Sequence, residues 1–122
     1  MNTEIRHADK SKEFFTEENC FILELANDAN DPDVSIARAR VLPGATTAWH
    51  RVNEIDERYV ILGGQGKMEV GDLPATIVSE GDVVRIPANT AQRITNVGDD
   101  DLVFLAICTP RFVASAYLPG RG

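Results

Sequence analysis

From residue 21 onward the chain is a succession of short apolar runs, each closed by a turn signal. The runs cover residues 21–25, 34–42, 46–50, 57–62, 66–70, 75–78, 82–86, 92–96 and 102–108. Between them stand the segment 27–33, Pro43-Gly44, the segment 53–56, Gly63-Gly64, Gly71-Asp72, Glu80-Gly81, the segment 87–89 and the segment 98–101. Short strands with a turn signal about every 8–12 residues predict an all-β fold, an antiparallel sandwich or barrel. No window keeps a helical period over three turns; only the N-terminal arm and residues 112–118 are compatible with a short helix. In Ser35–Val41 the alternation is explicit. Arg38 and Arg40 share one face, and Ala37 and Ala39 the other. Two readings of the arginines stand side by side: a solvated rim pair, or a clamp for an anionic ligand.

A length of 122 residues allows one domain. Its expected parts are a polar arm over 1–19, a barrel over 20–110 and a tail over 111–122. Pro110 should end strand pairing, leaving Phe112 and Tyr117 to cap a barrel end or cover an edge. Apolar residues make up 43% of the chain, enough for one modest core. Lysine and arginine number 12 against 19 aspartates and glutamates, a net charge of −7. That charge argues against a nucleic-acid partner and against an anionic membrane surface. No apolar run approaches the length of a membrane helix. The first fifteen residues lack the apolar stretch of a secretory signal. Cys20 and Cys108 each sit in an apolar run, so they read as buried free thiols in a reducing cytoplasm.

Several chemistries fall away on spacing. The segment Gly63–Lys67 superficially suggests a phosphate loop, but that pattern needs glycine at position 61 and serine or threonine at 68. The chain has Ile61 and Met68 there. A glycine-rich hairpin turn is the simpler reading. There is no CxxC, HExxH or Gly-x-Ser-x-Gly pattern. His7 lies in the polar arm and reads as a surface residue.

What remains is a constellation. His50 and Val52 are two apart on one strand and point to one face. The turn 53–56 reverses the chain, and Glu57 opens the returning strand. Gln92 follows the Pro87 turn on a separate strand. Gly44, His50, Glu57 and Gly64 fall on the spacing Gly, five residues, His-x-His, three or four residues, Glu, six residues, Gly, with Val52 at the second histidine. Gly81, Pro87 and Asn96 fall on the spacing Gly, five residues, Pro-x-Gly, two residues, His, three residues, Asn. Here Asn89 takes the glycine position and Gln92 the histidine position. The chain resembles the cupin superfamily across these two motifs, Gly44 to Asn96, and is similar to the short mannose-6-phosphate-isomerase-like cupins.

The resemblance implies an antiparallel double-stranded β-helix, a jelly-roll barrel, in which His50, Glu57 and Gln92 meet. It implies a divalent metal ion, Mn, Fe, Ni or Zn, on those three groups, with His50 and Glu57 as the residues able to move a proton. Parity adds Val52, Tyr59, Ile61 and Ile94 as pocket-lining candidates. Trp49, Arg51, Arg58 and Arg93 fall on the opposite face. Asp56 and Glu54 are expected in solvent, each an alternative acid should the loop shift by a residue. The implied function is a small metal-dependent enzyme, an isomerase or dioxygenase, acting on a small polar molecule of sugar, keto or carboxylate type. The alternative is a non-catalytic ligand-binding module in which His50, Glu57 and Gln92 form a hydrogen-bonded cluster. A homodimer joined at sheet edges is expected.

Overall fold

The structure is a computed structural model that describes residues 1–120. Eleven antiparallel strands form two sheets. The first sheet contains β1 (Phe14–Phe15), β2 (Phe21–Ala26), β3 (Ser35–Val41), β5 (Asp56–Gly63), β8 (Val83–Ile86) and β10 (Leu102–Thr109). The second contains β4 (His50–Val52), β6 (Gln65–Val70), β7 (Thr76–Ser79), β9 (Gln92–Asn96) and β11 (Tyr117–Pro119). Strand order is β1-β2-β3-β10-β5-β8 in one and β11-β4-β9-β6-β7 in the other. Consecutive strands often cross between sheets, as in a jelly roll, and the expected all-β double-stranded β-helix is what forms.

Eight of the expected strands appear within two residues of their predicted ends. The ninth, expected over 46–50, shrinks to His50–Val52. Its first residues divide their hydrogen bonds between two neighbours. The Thr47 amide donates to the Ile94 carbonyl, while the Ala48 amide donates to the Glu18 carbonyl. Glu18 belongs to a turn rather than a strand, so on that side no ladder continues, and toward β9 only an isolated bridge, Thr46 to Thr95, precedes residue 50. Residues 10–12 and 114–116 make single 3₁₀ turns, which is all the helix there is among the described residues. Both flanking segments join the sheets: Phe14–Phe15 pairs with β2, and Tyr117–Pro119 pairs with β4.

The core lies between the inner faces. Val41, Tyr59, Ile61, Met68, Ile94, Leu102 and Phe104 are all buried in it. A second cluster of Val52, Ile55, Cys108 and Ala116, with Phe112 against it, closes one end. Gly66 lets the sheets approach, because a Cβ there would sit 2.8 Å from Ile94 Cδ1 and 3.0 Å from Leu102 Cδ2.

Arg38 and Arg40 face outward and are engaged within the chain. Arg40 contacts Glu13 at 2.6 Å and Asp101 at 3.1 Å, with its guanidinium 4.2 Å above the Phe21 ring. Arg38 reaches Glu13 at 3.5 Å. The pair secures the N-terminal segment to the sheet through Glu13, with Arg40 also on Asp101, while Arg38 Nε is buried without a hydrogen-bond partner among the described residues. The Arg40 hydrogen bond holds the Glu13 carboxyl below its ordinary range.

Candidate ligand and metal site

The inner face of β3 carries Ala37 and Ala39, and Ala37 stands opposite Ala106 of β10. Small side chains at these facing positions leave space unfilled. The result is a cavity of about 210 Å³. His50 and Val52 from β4, Glu57 and Tyr59 from β5 and Cys108 from β10 form part of its wall.

His50 and Gln92 are direct cross-strand partners, and Glu57 comes from the opposite sheet. His50 is held by a hydrogen bond of 3.0 Å between Nδ1 and the Ala48 carbonyl. A carbonyl only accepts, so Nδ1 carries the proton and Nε2 presents a lone pair. That Nε2 lies 3.9 Å from Glu57 Oε1. Tyr117 stacks on the imidazole, with ring centroids 5.0 Å apart. Gln92 Nε2 donates to Glu57 Oε1 at 2.6 Å. Cys108 Sγ lies 3.7 Å from Glu57 Oε2, on the donor side of a weak contact. Gln92 is fully buried, forms no cavity surface, and its Oε1 has no hydrogen-bond partner among the described residues.

Burial raises the Glu57 carboxyl above its ordinary range, opposed in part by His50 and by the hydrogen bonds from Gln92 and Cys108. Burial also raises both thiols, Cys20 to about 11 and Cys108 beyond the range in which a thiolate forms. Both cysteines are free and buried, and neither is an activated nucleophile.

The structure thus brings His50, Glu57 and Gln92 together, with Val52 and Tyr59 on the cavity wall. Two of the expected pocket residues lie elsewhere. Ile61 is four residues beyond Glu57, roughly 13 Å along the strand at about 3.4 Å per residue, and packs in the core. Ile94 likewise packs in the core, against Gly66, and does not line the cavity. On the outer face Arg93 pairs with Glu69 and lies 4.4 Å over the Trp49 ring. Asp56 and Glu54 are exposed, and Asp56 accepts the Ala88 amide, so of these three neighbours Glu57 is the one that lines the cavity.

Three wall residues come from segments that carried no prediction of this kind. Glu18, at the turn between β1 and β2, sets a carboxylate oxygen 3.9 Å from His50 Nδ1. Phe112 and Tyr117 come from the tail. The one hint in the sequence was Thr16-Glu17-Glu18-Asn19, a polar turn between Phe14-Phe15 and Cys20-Phe21.

The family model of the cupin domain matches residues 37–108. The chain is a cupin. An uncharacterized protein of Methanocaldococcus jannaschii is 33% identical over 106 residues, covering 85% of this chain and 84% of that one. KdgF from a Halomonas species superposes with a TM-score of 0.77 at 17% identity, covering 89% of this cupin and 96% of that chain. An oxalate decarboxylase variant from Bacillus subtilis superposes with a TM-score of 0.76 at 23% identity. It shares 90% of this cupin but only 30% of its own length. At these identities the solved structures speak for the fold.

The fold explains the motif. Gly44, Gly64, Gly81 and the substituted Asn89 all adopt left-handed backbone, with φ of 81°, 82°, 89° and 63°. Asparagine tolerates that region better than other side chains, so the glycine conformation survives its replacement. Asn96 is structural in this cupin: its Nδ2 donates to the Val41 and Asp100 carbonyls at 2.8 Å each, and its Oδ1 accepts the Gly98 amide.

Proposed function

We propose that this cupin binds a small polar molecule in its barrel cavity beside a divalent cation held by His50 Nε2, Glu57 and Gln92 Oε1. One observation carries the reading. An imidazole lone pair and a carboxylate stand 3.9 Å apart where two sheets meet, and the buried Gln92 amide, its nitrogen on that carboxylate, has an oxygen without a partner. A buried acceptor without a donor is costly, and a hard cation of the Mn, Fe, Ni or Zn class satisfies such a set. Bound there, the cation supplies Lewis-acid polarisation of a ligand oxygen.

The chain's own residues supply the rest. The Ala48 carbonyl fixes the His50 tautomer. Gln92 and Cys108 orient Glu57, which can accept or release a proton at Oε1 or Oε2. The apolar walls exclude bulk water from that transfer. An isomerase or a dioxygenase acting on a small polar molecule, with His50 and Glu57 as its proton-moving groups, is the enzymatic form of this reading. Val52, apolar at the position of a second imidazole, favours a second form. In it the protein binds without catalysis, and Gln92 simply hydrogen-bonds Glu57. Two buried, unpaired thiols suit a reducing, cytoplasmic setting. The exposed Phe14 and Phe15 on the outermost strand of one sheet support a homodimer joined at that edge.

Metal analysis separates the two forms. The expected result is about one Mn, Fe, Ni or Zn per chain in purified protein, lost in His50→Ala, with chelation lowering the thermal midpoint. A metal-free protein whose midpoint ignores both chelator and added metal leaves the hydrogen-bonded module.

A further inference from the structure

Among the described residues the cavity wall contains three carboxylates, Glu18, Glu24 and Glu57, and neither lysine nor arginine. Three described arginines are engaged on outer faces instead. Arg38 and Arg40 answer Glu13, and Arg93 answers Glu69. Glu57 has Gln92 and Cys108 as donors. Glu18 is different. Among the described residues its ion-pair neighbour is His50 Nδ1 at 3.9 Å, and that nitrogen's proton is already given to the Ala48 carbonyl.

The remaining wall is largely apolar and aromatic, with Phe14, Tyr59, Phe104, Phe112 and Tyr117 contributing rings and Thr16, Ser35, Thr47 and His50 the other polar groups. Ring faces and carboxylates together suit a cation on an apolar body. A second metal ion suits them poorly, since no three His, Cys, Asp or Glu groups converge among the described residues. Away from the proposed metal, carboxylate and phosphate ligands meet no guanidinium or ammonium among the described wall residues, and they face like charge.

We infer that the ligand of this cavity carries a positively charged nitrogen on a small apolar body, an alkyl- or arylammonium, with the nitrogen received by Glu18. The inference rests on the cavity being the ligand site, as proposed above, and it narrows the polar molecules that site takes. The metal, when bound, engages Glu57 and leaves Glu18 for the ammonium group, with Glu24 at the exposed side of the wall.

Three near-isosteric probes test it: benzylammonium, benzyl alcohol and benzoate. Each is titrated calorimetrically into EDTA-treated protein and into Mn-loaded protein, with metal content measured separately. The expected order is benzylammonium about tenfold tighter than benzyl alcohol, with benzoate showing no binding. Glu18→Gln removes the preference for ammonium over alcohol and leaves the circular dichroism and the Mn content unchanged. Glu18→Asp, which keeps the charge, retains the preference and controls for misfolding. Benzoate binding as tightly as benzylammonium in either form overturns the inference, as does binding by none of the three. Ammonium preference without Mn uptake overturns the metal reading alone.

Discussion

His50 and Glu57 are set by their neighbours before any ligand arrives. The Ala48 carbonyl commits one imidazole nitrogen, and the Tyr117 ring lies against the imidazole face. Glu57 is buried with two donors and an imidazole, and burial outweighs their help. Its folded value therefore lies above the unfolded one. In metal-free protein the folded state binds more protons than the unfolded state between those two values. The contribution of Glu57 to stability is therefore full below the ordinary carboxyl range, falls as pH rises through the raised value, and is absent above it. Glu57→Gln keeps the shape and an acceptor for Gln92. In metal-free protein it is expected to raise the thermal midpoint at neutral pH by a few degrees, on the order of 1 kcal/mol. It is also expected to remove the fall seen in a pH series of melting curves. A midpoint that drops in this variant at neutral pH contradicts the burial argument. Gln92 and Glu57 were legible as site residues because their spacing from glycine and proline turns is rigid. Glu18 was not, since a glutamate in a polar arm looks the same whether or not the turn folds back onto a cavity.

At the scale of strands, turns made most of the sheet readable. Each Gly-Asp, Glu-Gly or Pro-Gly step ended a run, and the left-handed backbone at Gly44, Gly64 and Gly81 shows why glycine stands there. The failures were local. Residues 46–49 carry strand-like side chains, yet they make only an isolated bridge to β9 and face a turn, not a strand, on the other side. The strands Phe14–Phe15 and Tyr117–Pro119 are two and three residues long, too short for any alternation to register. The first of these forms the outer edge of the six-stranded sheet, with Phe14 51% and Phe15 56% exposed. An unprotected apolar edge favours pairing with another strand. Sedimentation is therefore expected to give a mass of two copies of the 13.4 kDa chain. A Phe15→Lys change is expected to shift it to one. A wild-type mass of one copy contradicts edge pairing.

For the whole molecule, the barrel turns distance along the chain into proximity. Residues 18, 50, 57 and 92 are carried by a hairpin turn and three strands, and they meet because two sheets close around small alanines. The excess of acids, first seen as a net charge of −7, has a counterpart inside the cavity. The cavity's charge and the proposed cation are consequences of one arrangement, and locating the cation tests that arrangement most directly. Crystals soaked in Mn²⁺ and measured for anomalous scattering are expected to show one strong peak per chain. Its ligands should be His50 Nε2, Glu57 and Gln92 Oε1, at about 2.0–2.3 Å for bonds of this kind. A peak held by other residues, or no peak at saturating Mn²⁺ in protein that remains folded, contradicts the proposed centre.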